Sequence, residues 1–169
     1  MQKVIVIGCP GAGKSYFAKQ LHALTGLPLY HLDMIWHKSD KTNITKQEFK
    51  EQLDMIIEQE GWIIDGNYQD SLAARLVACD TVFFLDYPLA VCLEGAKTRI
   101  GKKRDDMPWI EEVFDEEFKA FIEAFPSCQL PYIYQLLEQH ADKEIIIFKD
   151  RQQAQTYLDA LKNVHFHSK

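Results

Sequence analysis

The chain has no excess of positive charge, no long apolar run and no paired cysteines, and each absence narrows what it can be. Its 169 residues carry a formal net charge of −6, whereas proteins that grip nucleic acid or anionic membrane need a basic surface to displace counterions. Neither nucleic acid nor a membrane is expected as a partner. The apolar run at residues 4–7 stops at Gly8, too short for a secretory core or a membrane span, so a cytoplasmic location is expected. Cys9, Cys79, Cys92 and Cys128 form no CxxC pair and no Cys/His cluster. That argues against a zinc site or a disulfide framework and for reduced thiols, with Cys79 and Cys92 in the core. Repeats, low-complexity tracts and linkers are absent as well. A hydrophobic share of 47% fits one globular domain over residues 1–169.

What is present is a recurring unit: a short β-branched or aromatic run followed by a segment with helical spacing, the pattern of βα units around a parallel sheet. Strands are predicted at 3–7, 29–32, 62–65, 81–85 and 144–148. Helices are predicted from Lys14 to about Leu24, closing at Gly26; after Thr45, which makes a capping-box pattern with Glu48; from Pro88 to about Ile100; over 132–140; and from about 152 to 161. Ile110, Val113, Phe114, Phe118, Phe121, Ile122 and Phe125 fall on one helical stripe, read as core. The tail with His165 and His167 is expected to fray, and two histidines are too few for a metal site.

Gly8, Cys9, Pro10, Gly11, Ala12, Gly13, Lys14 and Ser15 match GxxxxGK[ST] in full, between a predicted strand and a predicted helix. Glycines let main-chain N–H groups turn inward into a nest for phosphate oxygens, and the helix adds the positive end of its dipole. Lys14 would supply charge to the β and γ phosphates of ATP or GTP, Ser15 its hydroxyl to Mg²⁺, and Tyr16 completes the nucleotide-binding stretch. Composition alone produces the full pattern well under about 1% of the time in a chain this long. Cys9, inside the loop, could make nucleotide binding sensitive to oxidation.

A loop of this kind needs an acid for the metal at the end of a neighbouring strand. Asp65 is preferred over Asp86, which is read as a cap for the helix near Pro88. Asp65 is followed by Gly66 and not by glutamate, which favours transfer to an acceptor over hydrolysis. Residues 97–104 hold five basic side chains, and Arg99, Lys102, Lys103 and Arg104 suggest a flap, a lid-like segment over about 99–110, that closes over phosphates. The acids after it, from Asp105 to Glu117, read as a solvated face. Asp33, at the carboxyl edge of the second strand, could orient an acceptor hydroxyl and take its proton, or cap a turn. Asn67 and Arg75 are weaker acceptor-side candidates. Trp36, Tyr68 and Trp109 could stack on a planar substrate, and Arg151 could lie under a nucleobase.

GCPGAGKS, HLD at 31–33, WIIDGNY at 62–68, FLDYP at 84–88 and RIGKKRDDMP at 99–108 together resemble the bacterial DNA topology modulation proteins, a branch of the P-loop kinase-like proteins related to adenylate and shikimate kinases. The resemblance implies a three-layer α/β P-loop NTPase fold with a five-stranded parallel sheet in the order 2-3-1-4-5, ATP with Mg²⁺ at the loop, and a lid around 99–104. The leading expectation is a phosphotransferase acting from ATP on an unidentified small-molecule acceptor, a nucleoside, nucleotide or other hydroxyl compound. The second is a nucleotide-dependent regulator of a protein or nucleic acid.

Overall fold

Five short strands, β1 (Lys3–Gly8), β2 (Leu29–His31), β3 (Trp62–Asp65), β4 (Thr81–Leu85) and β5 (Glu144–Phe148), pair in the order β2-β3-β1-β4-β5, all parallel. The computed structural model describes residues 1–166, with side chains through residue 163. Strands β1, β3 and β4 are buried along nearly their whole length, which is why they read as continuous apolar runs without alternation. Helices cover both faces of this sheet. Helix α1 (Lys14–Thr25) packs on β1, β2 and β3 and beside α8 (Arg151–Phe166), with Phe17, Phe83, Phe148 and Tyr157 in mutual ring contact between them.

Register does the positioning. Val6 and His31 both lie opposite Asp65, and Gly8 lies opposite Leu85. The phosphate-loop glycine, the strand-end acid and a histidine therefore reach the carboxyl edge together.

Several elements differ from the sequence reading. Strand β2 ends at His31, and Leu32 opens a short helix, α2 (Leu32–Trp36). Helix α4 (Gln69–Ala78) was not anticipated; it buries Leu72, Arg75 and Leu76. Helix α5 spans Leu89–Lys97. Helix α6 (Glu116–Cys128) begins only after Asp115, whose side chain accepts from the Glu117 N–H. Pro108 disfavours helix at the residue before it, and the stripe that starts at Ile110 is split between a loop and α6. Ile122 and Phe125 are core, but Ile110 (42% exposed), Val113 (76%) and Phe121 (45%) are not. Helix α7 spans Leu130–Gln139. Helix α8 continues past Leu161, carrying the backbone of His165; the side chain of His165 and all of His167 lie outside the described residues.

Helix α3 (Lys46–Ile57) carries the expected capping box: the Thr45 side chain accepts from the Glu48 N–H at 3.1 Å, and the Thr45 N–H donates to the Glu48 carboxylate at 2.8 Å. Removing the cap orphans a helix-terminal donor. Thr45→Ala should lower unfolding stability by about 1 kcal/mol, read as a shift in the urea midpoint with an unchanged slope.

Candidate active site

Between β1 and α1 the chain turns back on itself, the Ala12 N–H meeting the Cys9 carbonyl at 3.1 Å. Gly11 has φ 85°, and a Cβ there would fall 1.9 Å from the Cys92 carbonyl oxygen of α5. The approach is mutual, since a Cβ on Gly95 would meet the Gly11 carbonyl at 2.0 Å. Backbone packs on backbone here. Helix α1 is capped by Gly13 with no side-chain bond and has no acid in its first turn, so its leading N–H groups and dipole face the loop. Lys14 Nζ donates to the Cys9 carbonyl at 3.3 Å; burial pushes its pKa down, with the Asp65 charge acting in the opposite sense. The Cys92 thiol beside it and burial push the Cys9 thiol well above its ordinary value, while the same contact pulls the Cys92 thiol down.

Asp65 is only 4% exposed. Its Oδ2 accepts from the Ser15 hydroxyl at 2.6 Å and lies 2.8 Å from His31 Nδ1, while its Oδ1 is buried with no hydrogen-bond partner. Asp86 is engaged elsewhere. It accepts from the Tyr134 hydroxyl at 2.6 Å and from Lys149, and α5 has Pro88 as N-cap with no side-chain bond, so the expected capping role is not found. A hydroxyl and a carboxylate with a spare oxygen suit a hard cation that keeps its remaining ligands as water and phosphate, as Mg²⁺ does. Among the described residues no cluster of three His, Cys, Asp or Glu side chains could hold a metal alone.

The basic segment is not a free patch. Arg104 donates to Asp106 through Nε (3.1 Å) and Nη2 (2.7 Å) and to Glu111 through Nη1 (2.6 Å). Asp106 is buried, and against the upward push of that burial its hydrogen bonds with Arg104 hold its carboxyl well below the usual range. Lys19 on α1 reaches Asp105 at 3.1 Å. The acids read as a solvated face thus include two that neutralise Arg104. Burial lowers the pKa of Arg99, and the neighbouring Arg104 charge adds to that effect; Lys102 and Lys103 are exposed.

Two cavities flank the loop. The first, about 840 Å³, is lined by Lys14, Ser15, Asp33, Asp65, Arg99 and Arg104 together with aromatic and aliphatic side chains. The second, about 550 Å³, is lined by Gly11, Ala12, Gly13, Tyr16, Tyr87 and Arg151, and shares Arg99 with the first. Asp33 sits in the first turn of α2, where its Oδ1 accepts from the Tyr68 hydroxyl at 2.7 Å. Burial first, then the Asp33 charge, pushes the Tyr68 pKa up, so Tyr68 stays a donor. Asn67 clamps Gly8, accepting from its N–H at 3.0 Å and donating to its carbonyl at 2.6 Å. Arg75, fully buried, donates to the carbonyls of Gly66, Asn67 and Tyr68. Both therefore shape the turn after β3, and Arg75 cannot face an acceptor. Trp36 packs edge-on against Phe49, while Trp109 lines the first cavity beside His37.

Sequence reasoning passed over His31, Gly95, Asp106 and Glu111. Only His31 carried a signal, its place two residues before Asp33 at a strand end; the others depend on contacts between distant segments.

No known family profile matches the chain, and no curated protein does. Among solved structures it is similar to shikimate kinase from Acinetobacter baumannii in complex with shikimate, with 14% identity, TM-score 0.62 and coverage of 100% of this chain and 96% of that one. It is similar also to shikimate kinase from Bacteroides thetaiotaomicron (18%, TM-score 0.54, 95% and 96%) and to a sugar kinase from Janibacter sp. (15%, TM-score 0.52, 96% and 91%). The chain shares the fold of these structures, with its own sheet in the parallel order β2-β3-β1-β4-β5. No helix among the described residues is long and apolar enough to cross a membrane.

Arg104, Asp106 and Glu111 brace the segment internally, and Lys19 of α1 ties it down through Asp105. Asp106→Asn should loosen it, raising trypsin cleavage after Lys102 and Lys103 several-fold and lowering the thermal midpoint; an unchanged cleavage rate would show that the ion pair does not order the segment.

Proposed function

We propose that this chain is an ATP-dependent small-molecule kinase of the DNA topology modulation branch, transferring the γ-phosphate to a hydroxyl-bearing acceptor. The observation that carries the reading is that Lys14, Ser15, Asp65, Asp33 and Arg99 border one cavity at the mouth of an inward-turned glycine loop. Phosphoryl transfer asks the protein for alignment and positive charge more than for covalent chemistry, and those are the groups present. The second cavity, with Tyr16, Tyr87 and Arg151, takes the nucleotide's base and sugar, and the loop amides, Lys14 and Arg99 hold the phosphates. Ser15 and Asp65 would hold Mg²⁺, which when bound would neutralise charge on the phosphates.

In the reaction the acceptor oxygen bonds to the γ-phosphorus as the bond from that phosphorus to the β–γ bridging oxygen breaks, releasing ADP. Asp33 takes the acceptor's proton on Oδ2, its Oδ1 being held by Tyr68. His31 keeps Asp65 oriented. The segment 99–110 acts as the lid that excludes water, and the free thiols suit a reducing, cytoplasmic setting.

Single-turnover assays with labelled ATP and a panel of acceptors test this. Lys14→Ala should abolish tight nucleotide binding, and Asp65→Asn should retain binding but lose Mg²⁺-dependent turnover by about 10²-fold or more. Phosphate delivered only to water, with turnover raised by DNA, would replace the kinase with a nucleotide-dependent regulator. Turnover that survives Asp65→Asn and disappears in Asp86→Asn would overturn the assignment of the acid.

A further inference from the structure

The loop and helix after Asp106 contribute an apolar wall to the first cavity: Trp109, Ile110, Val113, Phe114, Phe118 and Phe121 all line it. Three of these are well exposed, Val113 at 76%, Phe121 at 45% and Ile110 at 42%, so they are not there to fill the core. Trp109 stands edge-on to His37 at 4.8 Å, and Phe114 edge-on to Phe118 at 6.4 Å, an arrangement that offers ring faces and edges to a flat guest. Lys14, Asp33 and Arg99 are on the same lining. The pocket therefore combines reactive polar groups with an apolar surface.

Charge narrows the guest further. Of the cations around the cavity, Arg104 is neutralised by Asp106 and Glu111, and Lys14 belongs to the phosphate loop. Lys41 and Arg99 remain, set against Asp33, Glu112 and Asp115 on the same lining. A carboxylate or phosphate on the acceptor would find no surplus positive charge to balance it. The carboxamides of Gln69 and Gln129, also on the lining, can pair with polar atoms on the edge of a ring.

We infer that the acceptor is an uncharged hydroxyl compound carrying a flat aromatic ring, of the nucleoside type, with its ring against the wall of residues 109–121 and its hydroxyl at Asp33. The inference rests on the kinase reading for the fate of the hydroxyl, but the wall can be tested without it. Adenosine, guanosine, cytidine and uridine are compared with their 5′-monophosphates, shikimate and glucose. Binding is measured by saturation-transfer NMR without ATP, and transfer by ADP release with ATP and Mg²⁺. At least one nucleoside should bind and be phosphorylated with kcat/KM ten-fold or more above its monophosphate, shikimate and glucose. Because a partly covered phenyl group contributes on the order of 1.4 kcal/mol, Phe121→Ser should raise the nucleoside KM about ten-fold, with the KM for ATP unchanged. Val113→Asp, at a site already open to water, should weaken nucleoside binding likewise. Preferred phosphorylation of a monophosphate, shikimate or glucose, or nucleoside affinity indifferent to both substitutions, overturns the inference and leaves the kinase standing. Wall-dependent nucleoside binding with phosphate passing only to water supports the wall and removes the kinase.

Discussion

Asp65 is a carboxylate withdrawn from water, and much of the site is arranged around satisfying it. A buried charge without partners costs several kcal/mol or more, so the segments that meet here are tied to one another through it. Ser15 brings the first turn of α1, His31 brings the end of β2, and the residue itself closes β3. One of its oxygens takes both bonds and the other takes none. A native fold seldom leaves a buried oxygen in that condition, and one beside a glycine loop opening on a helix N-terminus is where the proposed function would seat a cation with phosphate.

How much of this was legible followed from the distance over which each feature is determined. The phosphate loop is a local object. Eight consecutive residues specify a curl, and the flanking strand and helix are read from residues next to them, so position and chemistry could both be stated from the chain alone. The strands were legible because a buried parallel sheet demands continuous apolar runs. Asn67 and Arg75 show where local reading stops: each looked like a polar group available to a ligand, and each is spent on backbone, Asn67 on Gly8 and Arg75 on the turn at 66–68. A carbonyl has no sequence signature, so a side chain whose partner is a carbonyl across the fold cannot be recognised in advance.

The stripe from Ile110 to Phe125 failed for a different reason. Helical spacing reports that apolar residues share a face, but not what that face meets. Asp115 starts the helix late, and the first part of the stripe becomes loop; the two parts then line a cavity on the same side. The abrupt change from basic to acidic residues after Arg104 was similarly ambiguous, because like charges in a run and opposite charges in succession both suit a solvated surface. Burial decided it: Asp106 at 5% exposure cannot remain ionised without a partner, and the bidentate fork of Arg104 provides one. The cations of the segment are thus divided, with Arg104 paired inside it and Arg99 facing both cavities.

That division bears on why transfer and not hydrolysis should be the outcome. Both cavities border a loop pinned against α5 by the reciprocal approach of Gly11 and Gly95, and they share Arg99. On the proposed reading, a donor in one and an acceptor in the other would meet beside Arg99, which both cavities share. Water competes there unless it is excluded. In the proposed function the segment 99–110 and the apolar wall of the first cavity would share that exclusion. A guest that fills the wall would displace the remaining solvent at the moment it presents its hydroxyl, so the same contacts that select the acceptor also suppress the competing reaction.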